Sequence, residues 1–191
     1  TDTLDAAGVT ELDIDASAAE FTLTYGDVDE AVLDVRGSSG WTIERRGETL
    51  EVRPPVRWIF GWNFGERETV TLTLPEALRD AGLDADFDLS AGSFRADGSF
   101  GSLDVDVSAG EARINGSADE LTADVSAGGA ILALADVAEA ELSVSAGRLD
   151  VDLQGTAPTA VRIDVSAGEV DLTVPDVTYA VSSDVSAGSF D

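Results

Sequence analysis

The tripeptide Ser-Ala-Gly recurs along the chain, and this repetition is the feature that most constrains the fold. Its serines are Ser90, Ser108, Ser126, Ser145, Ser166 and Ser186. Their spacings are 18, 18, 19, 21 and 20 residues. A near-constant period of this length is typical of supersecondary units that stack and bury their apolar faces against one another. The sequence therefore predicts a chain built from stacked coils.

Within each copy, apolar and polar residues alternate with a period of two, as in a strand with one buried face. In one copy this pattern predicts that Leu103, Val105, Val107 and Ala109 all point inward. The glycine that follows permits the positive φ that a turn between strands often needs. The alanine before it is the same in every copy, which indicates a tight corner with room for one methyl group. Each coil should thus contain a strand, a glycine corner, a second strand and a return loop.

These units predict an all-β fold, either a parallel β-helix or a two-sheeted β-roll, whose coils pair through parallel ladders. Each coil would add about 4.8 Å to the stack. We interpret residues 1–191 as a single β-helical domain. Residues 12–23 would form a first, degenerate coil, because residues 12–20 align without gaps on residues 103–111. Residues 83–191 would form the regular coils.

The region between residues 17 and 90 contains no copy of the tripeptide. Residues 41–74 are instead predicted to form an antiparallel hairpin and an insertion, with the hairpin turning at residues 46–47. Residues 69–74 have the alternation of a strand, and residues 75–80 favour at most one helical turn. An antiparallel insertion is therefore expected near the N-terminus of the stack.

The segment between the hairpin and that strand is the most unusual part of the chain, because it combines alternating aromatic residues with arginines. The predicted contact residues there are Trp58, Phe60, Trp62, Phe64, Arg53, Arg57 and Arg67. Aromatic and arginine side chains are enriched in binding hot spots, and Trp also prefers membrane interfaces. The segment is therefore predicted to be a contact loop. The alternative is that its aromatics cap the open end of the stack.

The composition excludes several classes of function. The chain has 38 acidic residues against 11 basic ones, all of them Arg, and it contains no His and no Cys. Without His or Cys it can form neither a Ser-His-Asp triad nor a zinc finger, and without Lys it has no Walker A loop. Its net charge of -27 repels nucleic acid. We therefore expect no enzymatic activity, no cofactor and no nucleic-acid partner.

An acidic residue lies two positions before most of the corner serines. The series is Asp15, Asp88, Asp106, Asp124, Asp164 and Asp184, with Ser143 as the exception. In stacked coils these side chains would form a ladder with a spacing of about 4.8 Å. The ladder is either a solvated outer face or a Ca²⁺-binding stripe, for which Asp88, Asp106 and Asp124 are the candidates. A polysaccharide-active enzyme is a third alternative, although a uniform column gives its carboxylates similar environments rather than the unlike ones that acid/base catalysis needs.

The repeated Asp-Val-Ser-Ala-Gly units, preceded by a Thr-Leu-Thr-Leu-Pro strand, resemble the DUF4097 family of adhesin-like domains, which overlaps with the toast-rack domain. The resemblance covers most of the chain and is clearest over residues 69–191. It implies a β-helical domain that is tethered to a membrane, in the cell envelope and outside the cytoplasm. No catalytic or binding residues carry over from the family.

Together these observations predict a non-enzymatic, envelope-associated interaction module, adhesin-like or sensory, whose membrane anchor lies outside this chain. Its partner would be a protein or a component of the membrane or cell envelope. A cation-binding structural rod and a cytoplasmic location are the alternatives. The last coil stops at residues 190–191 and would leave strand edges unpaired, which predicts self-association into a homo-oligomer.

Overall fold

The computed structural model describes residues 1–37, 40–55, 68–177 and 182–190. Strands account for 66% of the structure and no α-helix is present in the part described, so the predicted all-β class is confirmed. The strands join into one sheet of 17 strands, and this sheet curves round almost to closure. They are β1 (Asp2–Leu4), β2 (Glu11–Asp15), β3 (Ala19–Gly26), β4 (Ala31–Arg36), β5 (Thr42–Arg46), β6 (Thr49–Arg53), β7 (Glu68–Pro75), β8 (Leu83–Leu89), β9 (Gly92–Val107), β10 (Glu111–Val125), β11 (Gly129–Ala135), β12 (Glu139–Val144), β13 (Arg148–Gln154), β14 (Ala160–Val165), β15 (Glu169–Thr173), β16 (Ser182–Val185) and β17 (Ser189–Phe190).

Two parallel ladders run through this sheet, one on each side of the Ser-Ala-Gly corners. The pre-corner ladder contains, in spatial order, β6, β2, β8, the second halves of β9 and β10, β12, β14 and β16. The post-corner ladder contains β7, β3, the first halves of β9 and β10, β11, β13, β15 and β17. We call one pre-corner strand and the post-corner strand that follows it a rung. Residues one repeat apart are therefore direct neighbours on adjacent rungs.

Antiparallel strands cover one end of the stack. β5 pairs with β6, β4 pairs with β7, and β1 pairs with β4, all in antiparallel register. The predicted hairpin at residues 46–47, the strand at residues 69–74 and the single helical turn, Glu76–Leu78, are all confirmed. At the other end, β16 and β17 each pair on one side within the described residues.

The absence of the tripeptide between residues 17 and 90 does not mean the absence of a rung. β6 and β7 form one, and its corner position is taken by residues 54–67 instead of Ser-Ala-Gly. This rung lies next to the rung formed by β2 and β3, which comes earlier in the chain. The spatial order of the rungs at this end therefore differs from their order in the sequence.

The inward side chains of the two ladders form one continuous hydrophobic core. The largest of them are Phe21, Phe87 and Phe94, each at most 2% exposed. The rings of Phe87 and Phe94 lie 4.6 Å apart, and those of Phe21 and Phe94 lie 5.5 Å apart. Burying a side chain of this size stabilises the fold by roughly 1.5–3 kcal/mol. Alternation along the strands thus sets which face is buried, as predicted.

The corners differ from the prediction in two respects. Ala109 does not continue the inner face; it is exposed, as are the corresponding alanines of the other copies. A positive φ occurs at the corner glycines Gly92 and Gly110, but the other corners do not require it. All the corner glycines share a close backbone approach instead: a Cβ on Gly128 would lie 2.4 Å from the carbonyl oxygen of Gly110, and one on Gly147 would lie 2.3 Å from that of Gly128. Glycine is therefore needed because successive corners stack backbone on backbone.

Candidate functional site

The outward side chains of the pre-corner ladder form an acidic surface, which we call the pre-corner face. Strand register aligns its residues in two columns that run along the stack. The first column is Asp15, Asp88, Asp106, Asp124, Ser143 and Asp164, with position 184 next in strand register, and the second begins with Asp13, Asp86 and Asp104. The predicted ladder, including its interruption at Ser143, is thus confirmed in register.

Crowding on this face changes the acidity of its carboxyl groups. Partial burial, followed by the negative charges of Asp88 and Asp13, raises the pKa of Asp86 to about 6. The pKa values of Asp88, Asp104 and Asp106 are also raised, again with burial as the first cause and neighbouring carboxylates as the second. A fixed row of like charges, with few counter-charges among them, disfavours the ionised form.

Arg53 is the main counter-charge on the acidic columns. Its Nη1 donates a hydrogen bond to Asp13 Oδ1 at 2.7 Å, and its Nη2 donates to the other carboxylate oxygen. This hydrogen bonding raises the pKa of Arg53, and the guanidinium partly offsets the upward shift at Asp88. The predicted contact residue Arg53 therefore lies on the pre-corner face as an internal partner of Asp13.

The three metal candidates do not converge. Asp88, Asp106 and Asp124 lie on successive rungs as a row. Within the described ranges, no three acidic side chains come close enough together to hold a metal ion. The arrangement is a linear array of carboxylates, whereas Ca²⁺ sites surround the ion with six to eight oxygens.

The other predicted contact residues, namely Trp58, Phe60, Trp62, Phe64, Arg57 and Arg67, lie outside the described residues. The structure does describe both flanks of their segment. On one side Arg53 binds Asp13. On the other side Glu68 is 5% exposed, and its carboxylate accepts a hydrogen bond of 3.0 Å from the indole N–H of Trp41. The two residues that flank this segment, Arg53 and Glu68, are therefore held to the stack.

Sequence reasoning missed the role of Trp41. Its indole packs against Phe21 with ring centroids 6.0 Å apart, and its N–H binds a carboxylate 27 positions later in the chain. The available signal was a Trp at the first position of the predicted hairpin region. Its partner depends on a pairing between distant strands that no local pattern reveals.

The outward side chains of the post-corner ladder form a second surface, the post-corner face, which sequence reasoning also missed. Three arginines lie on it, and each is within ion-pair distance of a glutamate. The pairs are Arg95 with Glu20 at 3.1 Å, Arg113 with Glu111 at 3.8 Å, and Arg148 with Glu169 at 3.0 Å. A groove of about 450 Å³ crosses this face over Gly129. This face therefore mixes charges, unlike the pre-corner face.

No helix in the described parts of the chain is long and apolar enough to cross a membrane. Comparison of the chain with protein-family models, with curated proteins and with solved structures finds no match. The resemblance to the DUF4097 family therefore stays a prediction.

Proposed function

We propose that this chain is a non-enzymatic, envelope-associated β-helical interaction module, adhesin-like or sensory, that binds a protein or an envelope component at one end of its stack. The finer architecture proposed is a parallel β-helix or two-sheeted β-roll. Two parallel ladders with partners one repeat apart support it. A rigid rod that carries a distinctive segment at one end is suited to presenting that segment to a partner.

The observation that carries the proposal is the replacement of one corner. In the other rungs from β8 onward, a Ser-Ala-Gly corner joins the two ladders, but β6 and β7 are joined by residues 54–67. This segment holds the alternating aromatics, and its flanks are fixed by the Arg53–Asp13 and Trp41–Glu68 contacts. Binding residues are commonly found on a loop that a rigid scaffold positions.

Replacing Trp58 and Trp62 together by alanine tests this function. Binding would be measured by co-sedimentation with phosphatidylethanolamine–phosphatidylglycerol vesicles and with peptidoglycan sacculi. We expect the wild-type chain to bind one of these and the double variant to lose most of that binding at an unchanged melting temperature. Val177→Ala, at a residue that is 53% exposed, serves as the control and should bind like the wild type.

Two results would contradict the proposal. If the double variant melts at a lower temperature while its binding is unchanged, the aromatics are a cap on the core. If the wild-type chain binds neither vesicles nor sacculi, lipid and peptidoglycan are contradicted as its ligands and only the protein partner of the proposal is left.

A further inference from the structure

The charges on the post-corner face are arranged antisymmetrically about strand β11. One column of register partners runs through Arg95, Arg113, Ile131, Asp150 and Asp171. Ile131 lies at its centre, with two arginines on one side and two aspartates on the other. If a second copy of this column is placed opposite in the reverse direction, each charged residue therefore faces a residue of opposite charge.

One neighbouring column follows the same rule, and the other places a neutral amide opposite a carboxylate. In one, Glu111 and Arg148 lie on either side of Gly129. In the other, Asn115 and Asp152 lie on either side of Ala133. The same strand, β11, is thus the centre of all three columns.

The outward residues of β11 itself are uncharged. They are Gly129, Ile131, Ala133 and Ala135, and Ile131 is 44% exposed, which makes it one of the few large apolar side chains at the described surface. Gly129 forms part of the floor of the groove. A Cβ on Gly129 would make an ordinary van der Waals contact, at 3.7 Å from the carbonyl oxygen of Arg148, so a small side chain fits there without a clash. An apolar row is therefore flanked by complementary charges.

We propose that a second copy of this chain docks on the post-corner face through its own post-corner face. The two copies are related by a two-fold axis that lies between the two faces and is parallel to β11. Such an axis reverses the stacking direction and keeps the columns aligned, so each residue meets its counterpart on the opposite side of β11. Arg113 then meets Asp150 of the other copy, and Arg95 meets Asp171. Ile131 packs against Ile131. This is an isologous contact, in which every pair occurs twice.

The flanking columns fit the same axis. Glu111 meets Arg148 of the other copy, and Asn115 meets Asp152. Further out, Ser93 meets Glu169 and Asp97 meets Thr173, by the same register. No acidic residue meets another acidic residue and no arginine meets another arginine across these positions. Sheets that pack face to face lie about 10 Å apart, a distance that long charged side chains can bridge.

Charge also argues for this face over the other one. Two copies with a net charge of -27 each repel one another, so close approach needs a locally compensated surface. The same reversal on the pre-corner face would place aspartate against aspartate. On the post-corner face, Arg113 has an exposed guanidinium whose nearest acidic group is 3.8 Å away, and Asp150 forms no ion pair with any described residue. Arg113 is therefore held only by a long ion pair and Asp150 by none within the described residues, so both can bind a second copy.

A charge-swap series tests the dimer by sedimentation equilibrium at about 0.15 M NaCl, where charges beyond about 8 Å are screened. We expect a concentration-dependent dimer for the wild-type chain. Arg113→Glu alone and Asp150→Arg alone should each raise the dissociation constant about tenfold or more, because each creates two like-charge contacts by symmetry. The double variant should dimerise like the wild type. An equimolar mixture of the two single variants should form a heterodimer, since every substituted side chain then meets an opposite charge.

Two matched measurements separate this contact from other causes. All charge variants should melt within about 4 °C of the wild type at dilute concentration, because exposed ion pairs contribute at most about 1 kcal/mol. Val177→Ala removes exposed apolar surface outside the three columns and should keep the dimer, whereas Ile131→Ser should weaken it. A wild-type chain that stays monomeric throughout, or a dimer that the single swaps leave unchanged, overturns the proposal. The latter result would instead indicate association through the edges of β16 and β17. This inference is independent of what residues 54–67 bind.

Discussion

The pre-corner and post-corner faces are built on the same rungs with the same alternation and in-register pairing, yet their electrostatics differ. On the pre-corner face, Asp88 is followed by Asp106 and Asp124. On the post-corner face, Arg113 is followed by Ile131 and then Asp150. Parallel in-register stacking places equivalent positions of successive repeats side by side. A residue type that the repeat keeps constant therefore forms a continuous row on the surface.

The chain is acidic overall, yet its two faces differ in charge because the repeat keeps aspartate at some outward positions and varies the residue at others. Where the repeat preserves aspartate, partial burial and then the like charges at the rung spacing raise the pKa of Asp86 to about 6. Where the repeat varies, opposite charges become neighbours, as for Arg148 with Glu169 at 3.0 Å. The same backbone geometry thus yields repulsion on one face and compensation on the other.

The glycine corner separates the two faces, and disturbing it should have the largest effect. Gly128→Ala would place a Cβ 2.4 Å from the carbonyl oxygen of Gly110, so we expect a loss of at least about 3 kcal/mol in the free energy of unfolding. The adjacent Gly129→Ala is the matched control, because its nearest contact would be 3.7 Å. Its effect should stay within about 0.5 kcal/mol. Urea denaturation of both variants measures the difference, and equal losses would show that the corners do not stack closely.

Acidification should stabilise the protein through the pre-corner face. The folded pKa of Asp86, about 6, exceeds the ordinary value of 3.8, so the folded state binds protons more tightly than the unfolded state between these values. The resulting stability is fully present below the unfolded pKa and is lost as pH rises through about 6. We expect about 1 kcal/mol from Asp86 after allowing for solvent screening, with a higher melting temperature at pH 5 than at pH 7.5. A melting temperature that falls over this range would contradict the account.

Removing one carboxylate from each face should change the free energy of unfolding in opposite directions. Asp86→Asn relieves repulsion on the pre-corner face and should stabilise the chain at pH 7.5 by up to about 1 kcal/mol. Glu20→Gln removes the partner of Arg95, 3.1 Å away on the post-corner face, and should destabilise it by about 0.2–1 kcal/mol. Thermal melts at dilute protein concentration compare the two. Changes of the same sign would remove the distinction between the faces.

The smallest expected effect is that of Ca²⁺. Because Asp88, Asp106 and Asp124 form a row, Ca²⁺ should stabilise the chain by general screening, to the same extent as Mg²⁺ at equal concentration. Isothermal titration calorimetry and melting curves with both ions provide the check. A saturable heat with Ca²⁺ that Mg²⁺ does not give would support the cation-binding rod instead.

Much of this architecture is predictable from the sequence because the repeat is local. The alternation around Val105 and Val107 identifies the buried face, and the fixed spacing of the corners sets the register of the aspartates. The hairpin at residues 46–47 carries its own turn signal. The direction of the corner alanines could not be read from the pattern, because Ala109 continues the alternation formally while the chain has already turned.

The rest depends on contacts between distant residues. Each strand of the rung formed by β6 and β7 is visible in the sequence, but residues 54–67 conceal that the two strands belong together. Similarly, Arg113, Ile131 and Asp150 become neighbours only through the register of three strands. The Trp41–Glu68 hydrogen bond joins residues on opposite sides of the replaced corner. Such pairings follow from which strands stack, and no local period encodes them.

The central claim is that in-register stacking crowds carboxylates on the pre-corner face, and the pKa of Asp86 tests it most directly. NMR titration of the side-chain carboxyl carbons, assigned with Asp86→Asn, would measure it. The account predicts a midpoint of about 6 for Asp86. A midpoint near the ordinary aspartate value, about 3.9, would show that neither partial burial nor the neighbouring carboxylates act on Asp86 and would contradict the account.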